Sequence, residues 1–123
     1  MADSKLIDSS IWIDYFFNGK HSEIIDSGEL LLLSSLSIFE IKNKLKKSKV
    51  DDFKIERSLE LIKKRSLIIE VNLEIAEKAV EFSIKNNLSI VDALIYTSAI
   101  LNQAKLLTLD NDFRGLKDTM VLS

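Results

Sequence analysis

The side chains with chemistry to offer are carboxylates. Asp8 directly follows the apolar run Leu6-Ile7, and Asp110 directly follows Leu106-Leu107-Thr108-Leu109. Asp112 comes two residues later, Glu40 lies in SLSIFEIKNKL, and Asp92 lies in LSIVDALIYTSAIL. The chain has no cysteine and one histidine, His21, in the polar stretch NGKHSE. That removes thiolate catalysis and cysteine-ligated zinc, and leaves a Ser-His-Asp triad poorly supported. A lone histidine beside a glycine turn is expected at the surface. Oxygen ligands without nitrogen or sulfur suit a hard cation, Mg²⁺ or Mn²⁺. Such an ion lowers the pKa of a water and neutralises phosphate oxygens, so the chemistry is hydrolysis of a phosphodiester or phosphate ester.

Each acid also has a purely structural explanation. Ser89-x-x-Asp92 and Ser37-x-x-Glu40 both read as capping boxes at helix starts. Asp8 can cap a helix beginning near Ser10, and Asp110 a turn through Phe113 and Arg114. Taken singly, a cap is as good an account as a site. Taken together the acids repel one another: at ~4 Å and an effective dielectric of about 20, a like-charged pair costs on the order of 4 kcal/mol. Capping needs no such crowding, and a divalent cation removes its cost.

The elements decide whether the acids meet. Lys5–Asp8, Leu30–Leu33, Leu67–Val71, Lys105–Leu109 and Thr119–Leu122 are short apolar runs and read as strands. Helices are expected over Ser10–Phe17, closed by Asn18-Gly19, and briefly over Ser22–Asp26, before Gly28. A longer one starts at Ser37 with Ile38, Ile41 and Leu45. Asp51-Asp52 caps the next, which carries Ile55, Leu59 and Ile62 on one face. Leu73–Lys85 is amphipathic with Ala76, Ala79, Val80 and Ile84 inward. Leu88–Leu101 is apolar all round and so buried. Strands alternating with helices give an α/β fold: three layers, doubly wound, an open parallel sheet of four or five short strands with helices on both faces. Ligands bind such sheets outside the carboxyl ends of the strands. Asp8, Asp110 and Asp112 belong to that edge, and Glu40 and Asp92 reach it from the first turns of their helices.

The 123 residues suit one domain, residues 1–123, with 46% hydrophobic and 29% charged residues. No apolar run approaches the ~20 residues of a membrane span, and MADSKLIDSS has no secretory leader pattern. A cytoplasmic setting fits the absence of cysteine. The net charge of −2 does not announce a nucleic-acid binder, although Lys42, Lys44, Lys46, Lys47 and Lys49 can follow a phosphate backbone.

Four blocks, LIDSSIWIDYF, SLSIFEIKNKL, LSIVDALIYTSAIL and LLTLDNDF, resemble a PIN domain in family order across essentially the whole chain. The likeness is greatest to the small single-domain ribonuclease toxins of the VapC type. It implies that Asp8, Glu40, Asp92 and Asp110 bind Mg²⁺ or Mn²⁺ and carry out catalysis, with Asp112 as an extra metal-binding acid. It implies supporting roles for Ser9, beside the first aspartate, and for Thr108, which orients that aspartate from the neighbouring strand. It further implies an RNA substrate cleaved by in-line attack of water, an antitoxin protein that covers the pocket, and a homodimer formed through helices. Lys44 departs from the small residue that many relatives carry there.

Three other readings compete. An RNA-processing PIN nuclease would need no antitoxin. A non-catalytic PIN-like module would bind RNA or protein without cutting. LLTLDNDF also resembles the D-x-D motif of haloacid-dehalogenase-type phosphatases, but that motif opens its fold, and here eleven residues follow Asp112.

Overall fold

The structure is a computed structural model that describes residues 4–122. Met1–Asp3, on which the reading of the chain start partly rests, lie outside the described residues. The first strand lies in the middle of the sheet. Strand β1 (Ser4–Ile7) leads through helices α1 (Ser9–Asn18) and α2 (Ser22–Ile25) into β2 (Leu31–Ser34). Helices α3 (Ser35–Lys47) and α4 (Asp52–Arg65) precede β3 (Ser66–Ile69). Helices α5 (Leu73–Asn86) and α6 (Ile90–Leu101) return to β4 (Ala104–Thr108), and a 3₁₀ turn (Asn111–Phe113) precedes β5 (Thr119–Val121). The sheet order is β3-β2-β1-β4-β5, with every pairing parallel. The expected doubly wound α/β architecture is present, with five strands.

Each central strand feeds two cores by strict alternation of side chains. Ile7, Leu31, Leu33 and Leu107 pack with Ile11, Trp12, Ile41, Ile55 and Ile62 of α1, α3 and α4. Leu6, Leu32 and Leu106 point the other way, against Ala79, Ala93, Ile95, Tyr96 and Ala99 of α5 and α6. The order reverses between β1 and β4, where the chain leaves β1 in one direction and returns on its other side. That seam is where such sheets open a binding crevice at their carboxyl edge.

Helix α6 is buried over Ala93 and Ile95 to Ala99, as its apolar composition predicts, but Ile90 and Val91 of its first turn are exposed, so it is not covered all round. Its two interior hydroxyls bond to carbonyls one turn back, Thr97 to Ala93 at 2.7 Å and Ser98 to Leu94 at 2.8 Å. Neither polar group is therefore left unpaired. Asp51 caps α4 through the Lys54 amide. Gly19 ends α1 with φ 68°, a left-handed conformation that glycine takes without a Cβ clash.

Three expectations need correction. Helix α3 starts at Ser35, because Ser34, the last residue of β2, caps it by accepting from the Leu36 amide at 3.2 Å. The Ser37-x-x-Glu40 box does not exist, and Glu40 lies in the second turn rather than the first. On α5, Ile75, Ala79 and Phe82 face the core, while Ala76, Val80 and Ile84 are exposed, Ile84 at 78%. The two stripes are one residue out of phase and share Ala79, and packing selects the one whose Phe82 ring meets Tyr96 edge-on at 5.1 Å. His21 is not a free surface residue: its side chain is 10% exposed and pairs with Asp14 at 2.7 Å, linking α1 to α2.

Strand bounds also shift by a residue or two. Leu30 lies outside β2 and is exposed, β3 stops at Ile69 rather than Val71, β4 stops at Thr108, and β5 ends at Val121.

The relocated cap makes a paired prediction. Ser34→Ala removes a buried acceptor from a helix start and should lower the unfolding free energy by about 1 kcal/mol in urea titration. Ser37 is fully buried with a hydroxyl that has no hydrogen-bond partner. Ser37→Ala should therefore be neutral or stabilising. A larger loss at Ser37 than at Ser34 would contradict this assignment.

Candidate acidic site

The parallel pairing of β1 with β4 puts Ile7 beside Leu107, and the pairing runs on through the Asp8 amide to the Leu107 carbonyl at 2.9 Å. Asp8 thus leaves β1 next to Thr108, and Asp110 follows two residues beyond. Asp8 occupies the N-cap position of α1, yet its side chain accepts no backbone N–H. It is 6% exposed, and its Oδ2 accepts from the hydroxyls of Ser10 at 2.7 Å and Thr108 at 2.8 Å. The capping explanation for Asp8 fails, and the expected contact from Thr108 is present.

Ser9 aims elsewhere. Its hydroxyl donates to Glu40 Oε1 at 3.0 Å, joining the start of α1 to the second turn of α3. Asp110 does cap the 3₁₀ turn, since its Oδ1 accepts from the Asp112 amide at 2.9 Å. Its own amide donates to the Thr108 hydroxyl at 3.0 Å. Ser89 caps α6 through the Asp92 amide at 3.2 Å. The caps at Asp110 and Ser89 are real, and they leave carboxylate oxygens of both acids free to meet.

They do meet. Asp92, Asp110 and Asp112 each present an oxygen within 4.8 Å of the others. Asp8 and Glu40 adjoin this trio. Burial pushes the Glu40 carboxyl above its ordinary 4.5, and the charges of Asp8, Asp92 and Asp110 raise it further against the opposing Ser9 bond. Burial likewise lifts Asp92 above 3.8, with Asp110, Asp8 and Asp112 adding to it and the Ser89 hydroxyl opposing. All five acids anticipated from the sequence therefore gather at one edge. Ser10 was missed. A D-S-S sequence does not reveal which serine turns toward which acid; only the first turn of α1 settles that.

Among the described residues no lysine, arginine or histidine is paired with any of these acids. Fixed, part-buried carboxylates without a countercharge are what a hard divalent cation requires, so the residues present fit one.

A family model described as the PIN domain matches residues 5–118. The chain belongs to the PIN domain family. This PIN domain superposes on solved structures over nearly its whole length. A toxin–antitoxin complex from Klebsiella pneumoniae matches with TM-score 0.78 and 24% identity, over 95% of this chain and 96% of that one. VapBC2 from Rickettsia felis, bound to a DNA fragment from its promoter, matches with TM-score 0.73 and 18% identity over 97% of each chain. VapC20 from Mycobacterium tuberculosis, a toxin that cleaves the sarcin–ricin loop, matches with TM-score 0.70 and 14% identity, over 92% of this chain and 95% of that one. At such identities the likeness establishes the fold. A search of curated proteins finds no match.

The raised carboxyls have a consequence for stability. A carboxylate whose folded pKa is raised holds its proton longer in the folded than in the unfolded state. Its folded state is then favoured at low pH and loses ground as pH rises from the ordinary values, 3.8 for Asp92 and 4.5 for Glu40, through the raised ones. In EDTA, thermal stability should fall over that window, and Asp92→Asn and Glu40→Gln should flatten the fall. Slopes unchanged in both variants would show that the two acids do not titrate together with their neighbours.

Proposed function

We propose that this PIN domain, taken as a single domain over the whole chain, is a metal-dependent ribonuclease and the toxin of a toxin–antitoxin pair, acting in the cytoplasm. The observation that carries the nuclease reading is the convergence of Asp8, Glu40, Asp92, Asp110 and Asp112 at the β1–β4 seam, with no cationic side chain paired to them among the described residues. Asp8, Asp92 and Asp110 would hold Mg²⁺ or Mn²⁺, with Glu40 and Asp112 at its margins. When bound, the ion supplies charge neutralisation for phosphate oxygens and lowers the pKa of a water.

The chain's own part is positioning. The buried floor of α6 holds Asp92 rigidly at the site. The Ser9 hydroxyl keeps one Glu40 oxygen engaged, so the carboxylate has a fixed orientation. Burial, with the charges of Asp8, Asp92 and Asp110, holds the Glu40 carboxyl above its ordinary range in the absence of an ion, and a cation among these acids would relieve that crowding. Exposed Lys42, Lys44, Lys46 and Lys47 extend along α3 from Glu40 and give an RNA backbone a cationic track.

The toxin reading rests on the whole-length match to toxins and toxin–antitoxin complexes. An open surface groove lined by Phe16 of α1 and by Arg57, Leu61 and Lys64 of α4 offers a partner a further contact surface, separate from the five acids. The homodimer is supported by the outer face of α5 and α6, where Leu73, Val80, Ile84 and Ile90 are all more than half exposed. Such a contiguous apolar face is what subunit contacts cover.

Single-stranded RNA should be cut in Mn²⁺ and spared in EDTA. Asp110→Asn should slow cutting by roughly a hundredfold or more, because removing even an outer partner of a metal ligand costs about 10–100-fold. Equal cleavage in EDTA and in Mn²⁺ would refute the metal-dependent mechanism. Ile84→Glu should convert the dimer to a monomer by light scattering while leaving the fold intact; a variant still dimeric would move the interface elsewhere.

A further inference from the structure

Two hydroxyls from different elements converge on one oxygen of Asp8. Ser10, in the first turn of α1, donates to Oδ2 at 2.7 Å and accepts from the Leu109 amide at 3.0 Å. Thr108, at the end of β4, donates to the same Oδ2 at 2.8 Å and accepts from the Asp110 amide at 3.0 Å. A hydroxyl has one proton to give. Both protons go to the carboxylate, so the 3.4 Å approach of the two hydroxyls to each other is a contact rather than a third bond. Each hydroxyl is thus a bridge from the first acid to a successive amide of the chain leading to Asp110. The other oxygen, Oδ1, accepts no hydrogen bond among the described residues. It is not among the buried polar atoms that lack a partner, so it reaches solvent.

We propose that Ser10 is a positioning residue for the metal centre: with Thr108 it locks Oδ2 of Asp8 and so dedicates Oδ1 to the cation. This rests on the metal-dependent nuclease reading and deepens it. Two charge-assisted bonds to one oxygen, from adjacent hydroxyls on two different elements, fix the carboxylate. Without Ser10, Thr108 alone is a hinge about which the group can turn. Because the same two hydroxyls hold the Leu109 and Asp110 amides, they set the spacing between the first and last acids at the seam. The seam itself is a parallel pairing only four residues long on β1, and its ladder ends at Asp8. The hydroxyl bridges extend it past the last ladder bond, to where the acids stand.

The test is Mn²⁺ binding to the full chain, read as the loss of the free-ion electron paramagnetic resonance signal and normalised to folded protein. Ser10→Ala is expected to weaken binding about tenfold or more, the scale for a lost outer partner. Ser10→Thr, which keeps the hydroxyl, is expected to restore it. Thermal melts of each variant report any loss of fold separately. Ser10→Ala that melts earlier but binds Mn²⁺ like the wild type would overturn the proposal and leave a structural role. Equal weakening in Ser10→Ala and Ser10→Thr would overturn it too, since the hydroxyl would then be irrelevant. A wild-type chain that binds no Mn²⁺ would instead remove the metal-dependent reading beneath it.

Discussion

The parallel bond of β1 to β4 is the contact on which the rest depends. It joins residues about a hundred positions apart, Ile7 to Leu107, at the centre of the sheet. Everything between them, α1 through α6, is the crossover that makes this pairing possible. Because the chain turns one way from β1 and comes back on the other side, the carboxyl ends of the two central strands lie at the point where the strand order reverses, where such sheets open a crevice. An open edge with an acid just beyond each of the two strands is a direct consequence. The hydrophobic layers on either side hold that edge still, and crowding the carboxylates together there adds nothing favourable to the fold.

That last point separates a site from a set of caps. Two of the acids have cap-related roles: Asp110 caps the 3₁₀ turn, and the Asp92 amide is held by Ser89. Neither role requires the two carboxylates to face each other, and both are met with one oxygen or an amide. The structure nonetheless brings them together with Asp112, and crowds Glu40 and Asp8 in behind. Gathering uncompensated carboxylates works against folding, since each raised pKa measures a preference for the neutral form. A cation turns the same arrangement from a burden into a source of stability.

Much of this was legible in the sequence because it depends on period and order. Five short apolar runs alternating with longer amphipathic ones leave few arrangements other than a parallel sheet, and acids placed directly after Ile7 and Leu109 must lie at its carboxyl edge. What was not legible depends on which of two equivalent options packing selects. Ser34 and Ser37 are both credible caps, and the choice turns on where β2 stops. The two stripes of α5 have the same spacing, and only contact with Tyr96 favours the Phe82 side. Ser9 and Ser10 are adjacent and identical, yet the twist of one helical residue sends one to Glu40 and the other to Asp8. His21 looks free beside Gly19 because its partner, Asp14, is placed by the fold of α1 back toward α2.

The central claim is that the β1–β4 seam is a cation site whose innermost ligand is Oδ1 of Asp8. Crystals soaked in MnCl₂ and measured at the manganese absorption edge test it directly. The account predicts an anomalous peak among Asp8, Asp92 and Asp110, in contact with Asp8 Oδ1 while Oδ2 keeps Ser10 and Thr108. A map without a peak at the seam, or with the ion on Oδ2 and the hydroxyls displaced, would contradict it.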